Sequence, residues 1–478
     1  MPMTEFLIST SPAEPDRELG RYPIADEAQV QAAVARAKNA FADWRDAGFE
    51  KRAEVICRFR DLANQRVEEF ARLIAMETGK ALWDATGEAK LIGPKVDTSL
   101  AAGMELVQTN DVGGGARATH HPRGVLAVYG PFNFPAHLPN GHIVPALATG
   151  NTVVFKPSDA TPATGAFMAR MWEEAGLPAG VLEIVQGTAE TGRALAAAEQ
   201  VDGILFTGSY SVGRQLQEQM LAQPEKILVL EMGGKNAIAV LDDAELDLAV
   251  AETALSMTVS TGQRCTCASR IFVAHSLMDV FADKLCATLE GIKVGHPLDD
   301  GVFMGPLINQ VAFDKVERYR ARASETDGER VLQCQPALPA PYIGPGLMRF
   351  HTAAQDHAYK RDEIFGPEAA LYPIADLDEA IAAINDSDYG LAAAVFTRER
   401  RNYDYTIGRI RTGILNWNKG TTGASGKLPF GGLGKSGNDR PAGISASIYT
   451  TYPQAHLESS GGLDRAMLPP GFPTFEAE

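Results

Sequence analysis

From Val125 onward the chain alternates short apolar runs with helical segments, and this alternation restricts the fold more than any other feature. Runs at 125–129, 152–155, 182–185, 204–206 and 227–230 read as strands, with helical patterns at 162–175 and 212–221 between them. Parallel strands need crossover helices, so the pattern predicts a parallel sheet covered on both faces. A second series follows at 237–241, 270–273, 393–396 and 413–416, with a helix over 377–385. It predicts a second α/β domain, and Gly233-Gly234 is a natural hinge between the two. Upstream, Val30, Ala33, Val34, Ala37 and Phe41 keep helical spacing, as do Val55, Phe59, Leu62 and Val67, so 26–107 reads as helices. The turn-rich stretch from Thr109 to Gly115 and the run to Pro122 predict a projecting hairpin. Residues 445–452 alternate like an edge strand able to pair with another subunit.

Composition narrows the partners. Hydrophobic residues make up 45% of 478 residues, enough for sizeable cores. A net charge of −16 repels phosphate backbones, so no nucleic-acid partner is expected. The five cysteines, at 57, 265, 267, 286 and 334, are odd in number and scattered, which suits a reducing compartment better than a disulfide framework. Cys265-Thr-Cys267 has no second Cys/His pair at metal-site spacing, so no metal is expected. Residues 1–8 lack a basic, then apolar, leader, and no apolar run reaches membrane length. The expectation is a cytoplasmic protein with no membrane partner.

Two residues suggest chemistry. Cys265 lies in Thr261-Gly-Gln-Arg-Cys-Thr-Cys-Ala268, and Glu231 in Leu230-Glu-Met-Gly-Gly-Lys235. A thiol and a carboxylate, each beside glycine, suit a nucleophile and a base that activates water. Taken singly, Cys265 also reads as a buried cysteine and Glu231 as an ion-pair partner; Cys267 is a rival thiol. The strand at 204–206 runs into Thr207-Gly-Ser-Tyr-Ser-Val-Gly213, where glycines at a strand-to-helix turn let a backbone approach a pyrophosphate. The spacing is neither the dinucleotide fingerprint nor a P-loop, so a plain turn also fits. The strand at 152–155 ends in Lys156-Pro-Ser-Asp159, whose Lys156 and Asp159 suit ribose hydroxyls and share the same rim.

Seven ordered motifs then carry a resemblance: Pro131-Phe-Asn-Phe-Pro135, Phe155-Lys-Pro-Ser158, Phe206-Thr-Gly-Ser209 with Gly213, Leu230-Glu-Met-Gly-Gly234, Gly262-Gln-Arg-Cys265, Glu363-Ile-Phe-Gly-Pro367, and Pro429-Phe-Gly-Gly432 with Ser436-Gly437. From about residue 10 to 458 the chain resembles the aldehyde dehydrogenase superfamily. Within it, His137-Leu-Pro-Asn-Gly-His-Ile-Val-Pro-Ala146, Gln223-Pro-Glu-Lys-Ile-Leu228, Gln263 to Ala268, Asn416-Trp-Asn-Lys419 and Ser436-Gly-Asn438 with Arg440-Pro441 are most similar to the branch acting on N-succinylglutamate 5-semialdehyde. The resemblance implies an α/β architecture: a Rossmann-like cofactor domain (1–107 and 123–231), an α/β catalytic domain (232–442) and a β flap for oligomerisation (108–122 and 443–478). It implies a small-molecule aldehyde substrate, NAD as cofactor and a homodimer or homotetramer. Cys265 would be the nucleophile and Glu231 the base, and Asn133 with the Cys265 N–H would hold the oxyanion. Lys156 would bind the adenosine ribose; Gly208, Ser209 and Gly213 would face the pyrophosphate; Glu363 would hold the nicotinamide ribose beside Phe365.

Some positions depart from the common pattern. Phe132 stands where relatives carry Trp or Tyr. Asp159 stands where NAD-preferring relatives carry Glu, and its shorter side chain leaves room for the 2′-phosphate of NADP. Pro441 replaces a glutamate used near the water site. A dicarboxylate substrate asks for cationic or backbone donors, and Arg264, Lys419, Lys427 and Arg440 are candidates by position. An apolar pocket would instead suit aliphatic or aromatic aldehydes. Coenzyme A acylation is opposed by Glu231, and a non-catalytic role by the intact trio of Cys265, Glu231 and Asn133.

Overall fold

The computed structural model describes residues 5–354, 356–459, 461–462 and 467–473. Residues 1–4 of the expected cofactor domain, and 460, 463–466 and 474–478 of the expected oligomerisation segment, lie outside the described residues.

Five parallel strands form the first sheet, in the spatial order Leu182–Ile184, Thr152–Lys156, Val125–Tyr129, Gly203–Thr207, Ile227–Glu231. Numbered along the chain the order is 3-2-1-4-5. The order reverses between Val125–Tyr129 and Gly203–Thr207, so the loops leaving those strands part and open a crevice at their C-terminal ends. Period-2 side chains split the core between the two faces. Leu126, Val128, Val153 and Phe155 pack with residues of the helices Phe49–Gln65, Leu82–Leu100 and His137–Ala148. Val125, Ala127, Val154 and Ile204 pack with residues of Glu27–Asp46, Ala189–Ala197 and Tyr210–Met220.

The second sheet has seven strands in the order Glu329–Gln333, Gly346–Arg349, Glu368–Ile374, Ala268–Ala274, Asn236–Val240, Ala392–Phe396, Ile414–Trp417. All pairs are parallel except the first. The hairpin expected near 109–122 is Asn110–Gly113 with Ala116–Pro122. One expectation needs correction. Residues 445–452 are not one strand: Ala446–Tyr449 is a short helix, and the strand is Thr451–Leu457. That strand pairs with Ala116–Pro122 of its own chain, at the edge of a three-stranded sheet. Alternation of small polar and branched residues suits a short helix as well when buried partners decide, and here Ala446 and Tyr449 enter the core beneath the first sheet. The hairpin Phe6–Thr10 with Glu18–Pro23 also forms, without a counterpart in the sequence reading. No helix among the described residues is long and apolar enough to cross a membrane.

Candidate active site

Glu231 ends the last strand of the first sheet and is 3% exposed. Its backbone is fixed by the Gly208 N–H, which donates to the Glu231 carbonyl at 3.0 Å. Asn438 clamps the same strand, accepting from Leu230 N–H at 2.9 Å and donating to Leu228 O at 2.8 Å. The side chain is treated differently: Oε1 is buried without a hydrogen-bond partner among the described residues. Burial therefore pushes the carboxyl well above its ordinary range. A buried carboxyl with a free oxygen suits a general base working near neutral pH. Pro441 lies close by: a Cβ built on Gly431 would be 2.9 Å from Pro441 Cα and 3.5 Å from Glu231 Oε2.

Cys265 sits on a loop of unusual backbone. Ser260 and Thr261 have φ of 53° and 56°, a left-handed conformation that costs about 1–3 kcal/mol per non-glycine residue. Gly262 continues it with φ 71°, and a Cβ there would lie 2.2 Å from the Gly366 carbonyl carbon. Ties hold the strained turn in place. Thr261 Oγ1 donates to Gly305 O at 2.9 Å, and Ile308 N–H to Gln263 Oε1 at 3.0 Å. Asn236 Nδ2 donates to the carbonyls of Cys265 and Cys267 at 2.7 and 2.9 Å, while its Oδ1 accepts from Ala392 N–H at 3.0 Å. Cys265 is half-buried; Cys267 is buried, with Sγ 3.7 Å from Val259 O.

The chemistry asks for a lowered thiol pKa at Cys265, and the protein alone gives the reverse. Burial raises it, the negative charges of Glu231 and Glu363 add to the rise, and Arg264 opposes weakly. A positive charge brought into the site lowers that pKa again.

The loop after Val125–Tyr129 carries Phe132, Asn133 and Phe134. Asn133 is buried and lines a small cleft with Thr78, Lys80, Phe132, Ser260 and Gln263. Among the described residues neither its side-chain amide nor the Cys265 backbone N–H has a hydrogen-bond partner. The loop meets the second lobe twice. Phe132 and Phe365 touch edge to face with ring centroids 5.8 Å apart, and Arg264 Cζ is 4.8 Å from the Phe134 centroid.

The cofactor candidates line the crevice rim. Lys156 is buried, and among the described residues its ammonium meets only Pro157 O, at 3.2 Å; burial lowers its pKa and Asp159 opposes. Asp159 is exposed. Ser209 caps the helix Tyr210–Met220, accepting from Val212 N–H. Gly213 is buried in that helix, and a Cβ there would lie 2.4 Å from Met232 Sδ. A side chain at this position would have to displace Met232. Glu363 accepts from Gly234 N–H at 2.9 Å, and a Cβ on Gly233 would lie 2.2 Å from its carboxylate oxygens. The glycine pair thus admits this carboxylate, a reason beyond the hinge read from sequence. Burial raises Glu363, against the pull of Gly234 N–H, Lys315 and Lys235. Phe365 has a left-handed φ of 61°. An unpaired buried ammonium, a helix N-terminus at a switch point and a carboxylate across the crevice fit the phosphates and riboses of a dinucleotide.

Of the proposed tail-binding cations, Arg264 is committed to Asp84, at 2.6 Å, and Lys419, Lys427 and Arg440 are exposed. Sequence reasoning passed over Lys80, Asp84 and Glu88, which lie behind both catalytic loops. It also passed over His142, whose ring bridges Tyr449 Oη at 2.7 Å and Thr207 Oγ1 at 3.1 Å beside Glu231's strand. Their sequence signal is charge or imidazole at core-facing helical positions, except for Lys80, which lies between the helices Val67–Thr78 and Leu82–Leu100.

Comparison with known proteins agrees with this geometry. Residues 3–455 match the aldehyde dehydrogenase family. The N-succinylglutamate 5-semialdehyde dehydrogenase of Chromobacterium violaceum is 42% identical over 473 residues, covering 98% of this chain and 96% of the relative. The enzyme of that name from Chromohalobacter salexigens is 43% identical, covering 94% and 92%. Among solved structures, an NADP-dependent enzyme of Escherichia coli superposes with a TM-score of 0.89 at 31% identity, covering 94% of each chain. The lactaldehyde dehydrogenase of the same organism gives 0.90 at 28% identity, covering 96% and 97%. The chain belongs to the aldehyde dehydrogenase family and is an NAD(P)-dependent aldehyde dehydrogenase.

Proposed function

We propose that this enzyme oxidises N-succinylglutamate 5-semialdehyde to N-succinylglutamate through a thioester on Cys265. The substrate reading is supported by relatives of that name at 41–43% identity over nearly the whole chain. The chemical reading is supported by one observation: the half-buried Cys265 thiol feels the charge of the buried Glu231 carboxyl, whose Oε1 has no hydrogen-bond partner among the described residues.

The Cys265 thiol gives up its proton to solvent, and the sulfur, as thiolate, bonds to the aldehyde carbon. The carbonyl electrons move to oxygen, which accepts hydrogen bonds from the Asn133 amide and the Cys265 N–H. An amide serves because it donates without titrating. A nicotinamide dinucleotide, when bound, would accept the hydrogen and electron pair of the substrate C–H bond as hydride. Lys156 and Asp159 hold its adenosine ribose, Gly208 and Ser209 with the first turn at Gly213 its pyrophosphate, and Glu363 the nicotinamide ribose beside Phe365. What remains on Cys265 is a thioester. Glu231 takes a proton from water, the oxygen adds to the thioester carbon, and the acid leaves as the sulfur is restored. Asp159 leaves both NAD and NADP acceptable. The three-stranded flap, with Thr451–Leu457 at its edge, is the contact of a homodimer or homotetramer working in the cytoplasm. The domain boundaries follow the same reading: 1–107 with 123–231, 232–442, and 108–122 with 443–478.

A kinetic panel tests the substrate. It compares succinylglutamate semialdehyde, short semialdehydes and hexanal, each with NAD and NADP. The dicarboxylate is expected to have the highest kcat/KM; a value no better than that for hexanal rejects the substrate and leaves the family assignment intact.

A further inference from the structure

We propose that Asp84 and Glu88 are positioning residues that together set the gap between the Cys265 sulfur and the Asn133 amide. The inference rests on the reading of those two groups as nucleophile and oxyanion donor. Asp84 and Glu88 stand four residues apart on the helix Leu82–Leu100, so their side chains lie one turn apart on one face. Both are buried. They grip different loops. Asp84 Oδ2 accepts from Ser260 Oγ at 2.6 Å and Oδ1 from an Arg264 guanidinium N–H at 2.6 Å. Glu88 Oε1 accepts from the N–H groups of Ala136 and His137 at 2.9 and 3.1 Å. Its Oε2 meets the Lys80 ammonium at 2.7 Å, and the same ammonium donates to the Asn133 carbonyl at 2.7 Å.

One helix therefore holds the thiol loop with one carboxylate and the amide loop with the other. The helix His137–Ala148 has no side-chain cap from its own N-cap residue, and Glu88 satisfies backbone donors there. The strained turn at Ser260 and Thr261 persists only where neighbours hold it, and Asp84 is one of its holds. Phe134 closes the frame, with Lys80 Nζ 3.8 Å and Arg264 Cζ 4.8 Å from its centroid. Carbon–sulfur bond formation and oxyanion stabilisation occur together, so an error in this gap acts on the chemical step. The cofactor groups Lys156 and Ser209 have no part in the frame.

The test is single-turnover formation of reduced cofactor by the full-length enzyme carrying Asp84→Glu, Glu88→Asp or both, beside Cys265→Ala. Each charge-preserving change moves a carboxylate by one methylene, and melting curves identify the folded variants. Each single change is expected to slow the burst by about 10–100-fold while the Kd for reduced cofactor stays within about twofold of the parent. The double change is expected to slow it by less than the product of the two, because both act on one gap. Burst rates within about twofold of the parent in folded variants overturn the proposal. Loss of folding in all three overturns it too, by making the pair determinants of the fold. A full burst from Cys265→Ala defeats the underlying reading instead.

Discussion

Lys156 and Ser209, on the cofactor side of the crevice, have ordinary backbones and few partners, whereas Cys265 and Asn133 ride on loops fastened from several directions. On the first side the ammonium meets a single carbonyl among the described residues and the serine caps its own helix. On the second, two left-handed non-glycine residues precede the thiol, and Asp84, Asn236 and Gly305 hold the turn. The contrast fits the roles we propose for the two sides. A cofactor that arrives and leaves needs open donors, which supply affinity. Bond making needs atoms already in register, which the protein secures with strain and ties.

Substitutions on the two sides should therefore fail differently. The largest effect belongs to the thiol: Cys265→Ala should lower kcat by about 10⁴-fold or more, while Cys267→Ala stays within about threefold, read by steady-state reduced-cofactor formation. Equal losses from the two would erase the distinction between reactive and packing cysteines. Next, Glu231→Gln should keep the first burst of reduced cofactor and slow steady turnover by about 10²–10⁴-fold. Loss of the burst would move Glu231 from water activation to an earlier step. Across the crevice, Lys156→Ala should raise KM for the cofactor about tenfold with kcat within about threefold. A kcat loss larger than the KM change would mean that this rim also sets catalytic geometry.

The smallest effect is on stability and carries a sign. Burial raises the Glu231 carboxyl, so the folded protein keeps a proton that the unfolded chain releases. The stability linked to that proton is present below the unfolded carboxylate pKa and is lost as pH rises toward the folded value. Glu231→Gln removes the loss. Its melting temperature should match the parent near pH 4 and exceed it by about 1–2 °C at pH 8. A difference that grows toward acid would show the carboxyl to be held ionised.

The first sheet was legible because buried parallel strands read as continuous apolar runs, and 125–129 and 152–155 fall within one residue of the observed strands. Glu368–Ile374 and Gly346–Arg349 escaped because a charged end, a proline or a glycine hides a strand whose burial comes from its neighbours. Ala446–Tyr449 reads as strand because its alternation outweighs the signal of a helix of four residues. At the site, Cys265, Glu231 and Asn133 are proposed from motif order, and the direction of the Glu231 shift follows from expected burial. The thiol shift did not, because it depends on two carboxylates brought close only by the fold. Asp84 and Glu88 were hidden for the same reason: on a helix, their charges look solvated until two loops close over them.

The most direct test of the central claim is mass spectrometry of the peptide spanning Cys265 and Cys267 after Glu231→Gln enzyme has been mixed with succinylglutamate semialdehyde and NAD and quenched in acid. The account predicts an acyl mass of the substrate on Cys265, accumulating as reduced cofactor forms. Reduced cofactor without an acylated peptide, or an acyl group on Cys267, would contradict it.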